Sequence, residues 1–297
     1  MKSLIIGGAT GYGWNELKYW VNSIKRSGFD GDICLVSSNI TQETIEKLTK
    51  EGVKLSLYGK KQPDGSYRTE TNNAPHVERF FYLWNTLNTI EEEYKYIVTT
   101  DTRDVVFQSN PIEWLDSNLS LNILVASSEG LKYKDEPWGN KNLHDAFGPF
   151  FHRMLQDKII YNVGTIAGEF HAVRDLLLMI FQMSINRPTS IVDQAVYNFL
   201  LNNTWFSDLC LMTNNKDNWA IQLGTTLEAV KSGKGDLGMM FGSDPSKHIQ
   251  YQIMYNDDQP EFNDGLVVNK SGRPYCIVHQ YDRTLAWTKQ IMEKYDD

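Results

Sequence analysis

The sequence predicts an α/β fold, with a mostly parallel central sheet carrying helices on both faces. Three observations lead there. Apolar strand-like runs alternate with helical stretches through the first third of the chain. A glycine-rich turn, Gly7 to Gly13, follows the first run. An acidic turn, Asp101-Thr102-Arg103-Asp104, follows a later one, at the sheet edge where such folds hold ligands.

Each element has a local reason. Leu4-Ile5-Ile6 reads as a buried strand, and Trp14, Leu17, Val21 and Ile24 then recur at helical spacing until Gly28 ends the helix. Ile33 to Val36 is a second strand, and Thr41 is the expected N-cap of a helix with Ile45 and Leu48 on one face. Val53 to Leu57 is a third strand, and the polar stretch from Tyr58 to Asn73 reads as a mobile loop. Val77, Phe80, Phe81, Trp84 and Leu87 mark the next helix, before a strand from Tyr96 to Thr99. The segment from Ser127 to His152 is rich in Gly, Pro, Trp and His and lacks periodicity, so it reads as a long specificity loop. Asp175 to Met183 returns to a helix. Leu266 to Val268, the turn Asn269 to Gly272, and Tyr275 to Val278 read as a hairpin.

The chain has 297 residues and 41% hydrophobic content, enough for one large α/β domain, and no composition shift marks a boundary. We therefore expect a single domain over 1–297, with its two halves at 1–105 and 106–297. A net charge of −8 argues against a nucleic-acid surface, which needs clustered Lys and Arg. An anionic ligand would need a local cation, backbone amides or a metal. Cys34, Cys210 and Cys276 form no C-x-x-C pair, so neither a disulfide framework nor a zinc knuckle is expected. The N-terminal apolar run is too short for a signal-peptide core, and no run reaches membrane-spanning length, so the expected setting is cytosolic.

The opening turn invites a dinucleotide reading, which fails on three counts. Counting from Gly8, the fingerprint finds Gly11 in place but Trp14 at the position reserved for close helix packing. The second strand ends in Ser37-Ser38-Asn39 rather than in an acid for the ribose hydroxyls. No tyrosine has a lysine four positions later, so the dehydrogenase pair is missing.

The chemistry gathers instead in "YKYIVTTDTRDVVFQSNPIEWL", where an apolar strand delivers carboxylates to the sheet edge. Hard oxygen ligands there suit Mn²⁺ or Mg²⁺, which can bridge a diphosphate. The plain alternative is a capping aspartate beside a surface Asp/Arg pair. Three later stretches favour the metal. Asn162-Val163-Gly164 forms an Asn-x-Gly turn before an apolar run, Asp193-Gln194 opens an expected helix, and His279 ends the last expected strand, with Trp287 beyond it.

Taken in order, these stretches resemble the GT-A glycosyltransferases, and in particular the retaining family of glycogenin and the bacterial lipooligosaccharide galactosyltransferases. The resemblance runs from Leu4 to Trp287 and rests on short motifs. It implies a transfer of sugar from a nucleoside diphosphate, UDP first among the candidates, to a hydroxyl of a glycan or other glycosylated acceptor, with Mn²⁺ or Mg²⁺ as cofactor and anomeric retention. By that resemblance Asp101 and His279 are metal ligands, Asn162 contacts the donor sugar, and Arg79 helps order the donor site. Asp193 and Gln194 lie beside the anomeric carbon. Gly8, Ala9, Thr10 and Tyr12 wall the nucleoside, with Tyr12 a stacking candidate. Tyr133, Trp138 and His144 are candidates for the acceptor side.

The departures are specific. Registered by its apolar continuation, the family's second metal aspartate falls on Arg103. Either Asp104 supplies that carboxylate one residue late, or Arg103 pairs with the diphosphate directly. At the C-terminus the family's phosphate-binding lysine falls on Leu285, and Arg283 is near enough to replace it. The runner-up activities are a sugar-phosphate nucleotidyltransferase, which normally needs a basic residue in the first glycine-rich loop, and a catalytically silent nucleotide-sugar-binding protein.

Overall fold

The computed structural model describes residues 1–69, 74–90, 93–234, 244–255 and 258–296. A seven-stranded sheet runs in the order β10-β8-β9-β6-β1-β2-β3. Its strands are β1 (Lys2–Thr10), β2 (Asp32–Ser38), β3 (Lys54–Leu57), β6 (Tyr94–Thr100), β8 (Leu124–Lys132), β9 (Ile159–Glu169) and β10 (Cys210–Thr213). Only β9 runs antiparallel to its neighbours β6 and β8. The sheet is therefore mostly parallel, as the alternating elements predict.

The apolar strands are buried on both faces because successive side chains point to opposite sides. Leu4 and Ile6 face one core with α3 (Pro75–Thr89), α6 (Phe170–Ser184) and α7 (Asp193–Asn203). Ile5 faces a second core with Leu17, Trp20, Val21 and Ile24 of α1 (Trp14–Arg26). Gly28 follows α1 at φ +84°, and Thr41 caps α2 (Gln42–Lys50) by accepting from the Thr44 amide. Both expected punctuation marks are in place.

A small sheet in the order β11-β14-β7 carries the site's other half. It joins β7 (Val105–Phe107), β11 (Ala220–Gln222) and β14 (Ile277–His279). Because β7 begins just after the acidic turn and pairs with β14, His279 lies opposite Val105 and next to Asp104.

Several expectations need correction. The first strand continues through the glycines to Thr10, and the turn is confined to residues 11–13, with Gly11 at φ +76°. Gly7 is small for a packing reason: a Cβ there would sit 2.3 Å from the Thr102 methyl. Asn162-Val163-Gly164 is likewise no turn but the interior of β9.

The supposed loop from Ser127 to His152 is the end of β8, a 3₁₀ turn at Tyr133–Asp135, and α5 (Pro137–Leu155). Glu136 caps α5 by accepting from the amides of Trp138 and Gly139, and Pro137 occupies its first turn. Helical periodicity is hidden there because Gly148, at φ +75°, and Pro149 break the helix into two directions.

Near the C-terminus the expected hairpin forms at its tip, where Val268 bridges Pro274 antiparallel across the Asn269–Gly272 turn. Leu266–Val268 (β13) also pairs with Glu261–Asn263 (β12) across Asp264-Gly265, while β14 enters the small sheet. Asp264 and Gly265 both have positive φ, as a tight two-residue hairpin requires. Within the expected Tyr58 to Asn73 loop, Lys60–Lys61 (β4) pairs with Tyr67–Arg68 (β5), and residues 70–73 lie outside the described residues.

Candidate active site

A cavity of about 410 Å³ opens at the carboxyl end of β1 and β6. Its wall includes Gly8, Ala9, Thr10 and Tyr12 on one side, Arg79, Asp101, Arg103 and Asp104 beneath, and His279 and Arg283 opposite. The glycine-rich end of the first strand, the acidic turn and the C-terminal histidine, far apart in sequence, thus meet in one place. Pairing between β1 and β6 stops at Gly7 opposite Thr100, so Gly8 to Thr10 extend past β6 to form the wall.

Asp101, Asp104 and His279 each offer a ligand atom, all within 4.8 Å of one another. His279 Nε2 lies 3.4 Å from an Asp101 oxygen and 3.7 Å from an Asp104 oxygen. Two hard carboxylates and one imidazole fit Mn²⁺ or Mg²⁺. Space is kept for them by Gly164, where a Cβ would fall 2.5 Å from the His279 ring and 2.8 Å from Asp101. The glycine of the Asn-x-Gly motif is therefore demanded by the cluster and not by a turn. The second carboxylate of the cluster is Asp104. Arg103 turns sideways, 3.4 Å from Asp104 and 3.2 Å from Asp282, and still lines the cavity.

Gln222, which the sequence does not single out, sets the histidine's proton. Ser127 Oγ donates to the Ala220 carbonyl at 2.8 Å, so it must accept from Gln222 Nε2 at 3.0 Å. Gln222 Oε1 then faces His279 Nδ1 at 2.6 Å and must accept from it. With its proton held on Nδ1, neutral His279 presents the Nε2 lone pair to the cluster. Gln222 reaches this position because it pairs with His279 in the parallel ladder of β11 and β14.

The protonation equilibria follow from the same contacts. Burial alone would raise the Asp101 carboxyl, but the Arg79 charge and the His279 hydrogen bond hold it well below the usual range. Burial lifts the Asp104 carboxyl, with the Asp101 and Asp282 charges adding to it against His279. For His279, burial opposes protonation, yet the Asp101 hydrogen bond and both carboxylate charges outweigh it and raise its pKa. A cation must displace that proton, so its affinity weakens as pH falls through the raised histidine range. The expected loss is about tenfold in Mn²⁺ affinity per pH unit below that range, read by calorimetry between about pH 8 and 6. An affinity flat across this interval would remove His279 from the ligand set.

Arg79 reaches up from α3 and bridges two acids, pairing with Asp101 and, at 2.9 Å, with Asp193. Asp193 opens α7, where the helix dipole favours a negative charge. Its side chain is buried, and it lines neither of the two cavities of the site.

A second chamber, about 380 Å³, adjoins the first and shares Gln280 and Arg283 with it. Glu129, Glu136, Trp138, Asn162 and Gln194 line it. Glu129 accepts from Asn162 at 2.7 Å and from Gln194 at 3.1 Å, which orients both amides. Trp138 is 38% exposed on this wall, whereas Tyr133, at 1%, is part of the core. His144 pairs with Asp145 and stacks edge-on against His152, outside the linings of both chambers. Of the three acceptor candidates, only Trp138 is therefore brought to the site. Glu129, Gln222, Gln280 and His76 are the additions. Glu129 has a weak signal in the sequence, an acid that follows the apolar run Ile123 to Ala126 after Ser127-Ser128, inside the stretch that reads as a loop.

No family model matches the sequence, and no curated protein matches it either. Solved structures do. One is an apo structure of the bifunctional glycosyltransferase WbbM, at TM-score 0.55 and 10% identity, covering 100% of this chain and 52% of that one. The chain thus spans about half the length of WbbM. Another is an active-site mutant of LgtC, at TM-score 0.53 and 12% identity, covering 98% of this chain and 94% of that one. These likenesses establish the GT-A fold expected from the motif order.

Proposed function

We propose that this chain is a metal-assisted glycosyltransferase that moves a sugar from UDP to a hydroxyl of a glycan or other glycosylated acceptor, with retention of anomeric configuration. The observation that carries the reading is the Asp101, Asp104 and His279 cluster, set in a cavity whose opposite wall is the end of the first strand. In this reading residues 1–105 hold the nucleotide and residues 106–297 supply the sugar and acceptor side.

Gly8, Ala9 and Thr10 wall the nucleoside, and Tyr12 stacks on the base. Asp101, Asp104 and His279 would hold Mn²⁺ or Mg²⁺, which when bound neutralises charge developing on the leaving diphosphate. Arg103 and Arg283 line the same cavity and offer guanidinium forks to phosphate oxygens, so Arg283 takes the role of the missing lysine. Asn162 and Gln194, oriented by Glu129, line the second chamber and face the donor sugar there.

The roles of Asp193 and Gln194 separate on geometry. Asp193 is ion-paired to Arg79 and lies off both cavity walls, which suits positioning Arg79 better than attacking carbon. Gln194 has its amide engaged at both ends, with Glu129 and the Val163 amide, and acts as a fixed dipole beside the oxocarbenium-like state. Retention then proceeds by same-face attack: the bond from the anomeric carbon to phosphate breaks, the acceptor oxygen bonds to that carbon, and its proton passes to the departing phosphate oxygen. Trp138 offers the acceptor sugar an aromatic face.

Incubation with a panel of UDP-sugars and Mn²⁺ tests the proposal. Slow release of UDP from at least one donor, and none with the metal chelated, is the expected result. A panel that neither turns over nor raises the melting temperature would overturn it.

A further inference from the structure

Gln280 occupies an unusual place between the two chambers. Its backbone is left-handed, at φ 59° and ψ 36°, in a region that side chains other than Gly, Asn and Asp rarely adopt. Such strain persists only where surrounding contacts enforce it, and it gathers at functional sites. Two contacts enforce it here. The Gln280 amide donates to the Asp104 carbonyl at 2.7 Å, tying the turn to the acidic motif. Its side-chain Oε1 accepts from the Gly224 amide at 3.0 Å.

Gly224 is itself shaped around this side chain. A Cβ on Gly224 would sit 2.3 Å from Gln280 Oε1, so the carboxamide occupies space that only a glycine leaves open. With Oε1 committed, Nε2 is the free end of the group, and it has no hydrogen-bond partner among the described residues. The residue lines both chambers. The fold thus bends the backbone and clears a neighbour in order to hold one amide donor at the junction.

We propose that Gln280 is a phosphate-binding residue of the transfer reaction, its Nε2 donating to an oxygen of the β-phosphate. The inference rests on the nucleotide-sugar reading above. The β-phosphate takes on charge as its bond to the sugar breaks, and a pre-oriented N–H donor at that point stabilises it without reorganisation. A donor shared by both chambers lies where the leaving oxygen and the incoming hydroxyl meet during same-face attack. The left-handed turn also joins the two halves of the clamp, since the same residue fixes the Asp104 backbone and contacts the phosphate.

The test compares UDP with UMP, each titrated with Mn²⁺ in the 297-residue chain. Gln280→Glu keeps length and the acceptor for the Gly224 amide but loses the donor. Gln280→Asn tolerates the left-handed backbone and is too short to reach. Both variants are expected to lose at least about tenfold in UDP affinity while UMP affinity stays within about twofold, as for loss of a hydrogen bond to a charged group. Gly224→Ala, which displaces the carboxamide, should copy that pattern. Unchanged UDP affinity in Gln280→Glu, or equal losses for UDP and UMP, would overturn the role while leaving the nucleotide-sugar reading in place. Failure of the unsubstituted protein to bind either nucleotide would overturn both.

Discussion

Asp101→Ala is expected to reduce Mn²⁺-dependent UDP binding by at least about hundredfold in a protein that remains folded. Substitutions that only support a metal ligand typically cost 10–100-fold in affinity or activity, and Asp101 is placed as a ligand itself. The fold should survive because the Asp101 backbone keeps its hydrogen bond to the Gly164 carbonyl, 2.9 Å away. Arg79 also keeps a partner, since Asp193 remains 2.9 Å from it. Circular dichroism and thermal melting separate this outcome from unfolding. A variant that binds UDP and Mn²⁺ as the parent does would make Asp101 a structural partner of Arg79 and nothing more.

Arg79→Leu is expected to do the opposite, damaging stability as well as binding. The guanidinium is the shared counterion of Asp101 and Asp193, and the Asp193 side chain is only 4% exposed. Removing it strands a buried carboxylate, at a cost of about 3 kcal/mol. For a chain of this size that corresponds to a fall of roughly 5 °C in melting temperature. The loss should depend on pH in a defined direction. The Asp101 carboxyl is held low in the folded protein, so its pairing contributes stability above the ordinary carboxylate pKa and loses it as pH falls through the lowered value. The gap between variant and parent should therefore narrow below about pH 4. Equal melting temperatures at pH 7 would show that the triad of Asp101, Arg79 and Asp193 carries no net stability.

Much of this site is legible in the sequence because its chemistry sits at strand ends. Asp101 follows β6 and His279 closes β14, and both positions can be read from an apolar run that stops at a polar residue. The Asp193 helix and the Gly8 to Tyr12 wall are local in the same sense. What could not be read depends on which strands become neighbours. The choice between Arg103 and Asp104 turns on β7 pairing with β14, which draws Asp104 toward His279 and leaves Arg103 against Asp282. Gln222 becomes the partner of His279 only through the ladder of β11 and β14, across 57 positions. Asn162-Val163-Gly164 looks like a turn because its glycine is assumed to serve the backbone. Its role is instead to leave room for the His279 ring. Tyr133 illustrates a further limit: an aromatic in a stretch without periodicity looks available for stacking until the packing of α5 buries it.

The most direct test of the central claim is a calorimetric titration of UDP into the 297-residue chain, with Mn²⁺ present and again with the divalent cation chelated. The geometry of Asp101, Asp104 and His279 predicts one site per chain and an affinity that drops at least about tenfold on chelation. UDP binding of equal strength in both conditions would contradict the account, and would assign the diphosphate to Arg103 and Arg283 without a metal.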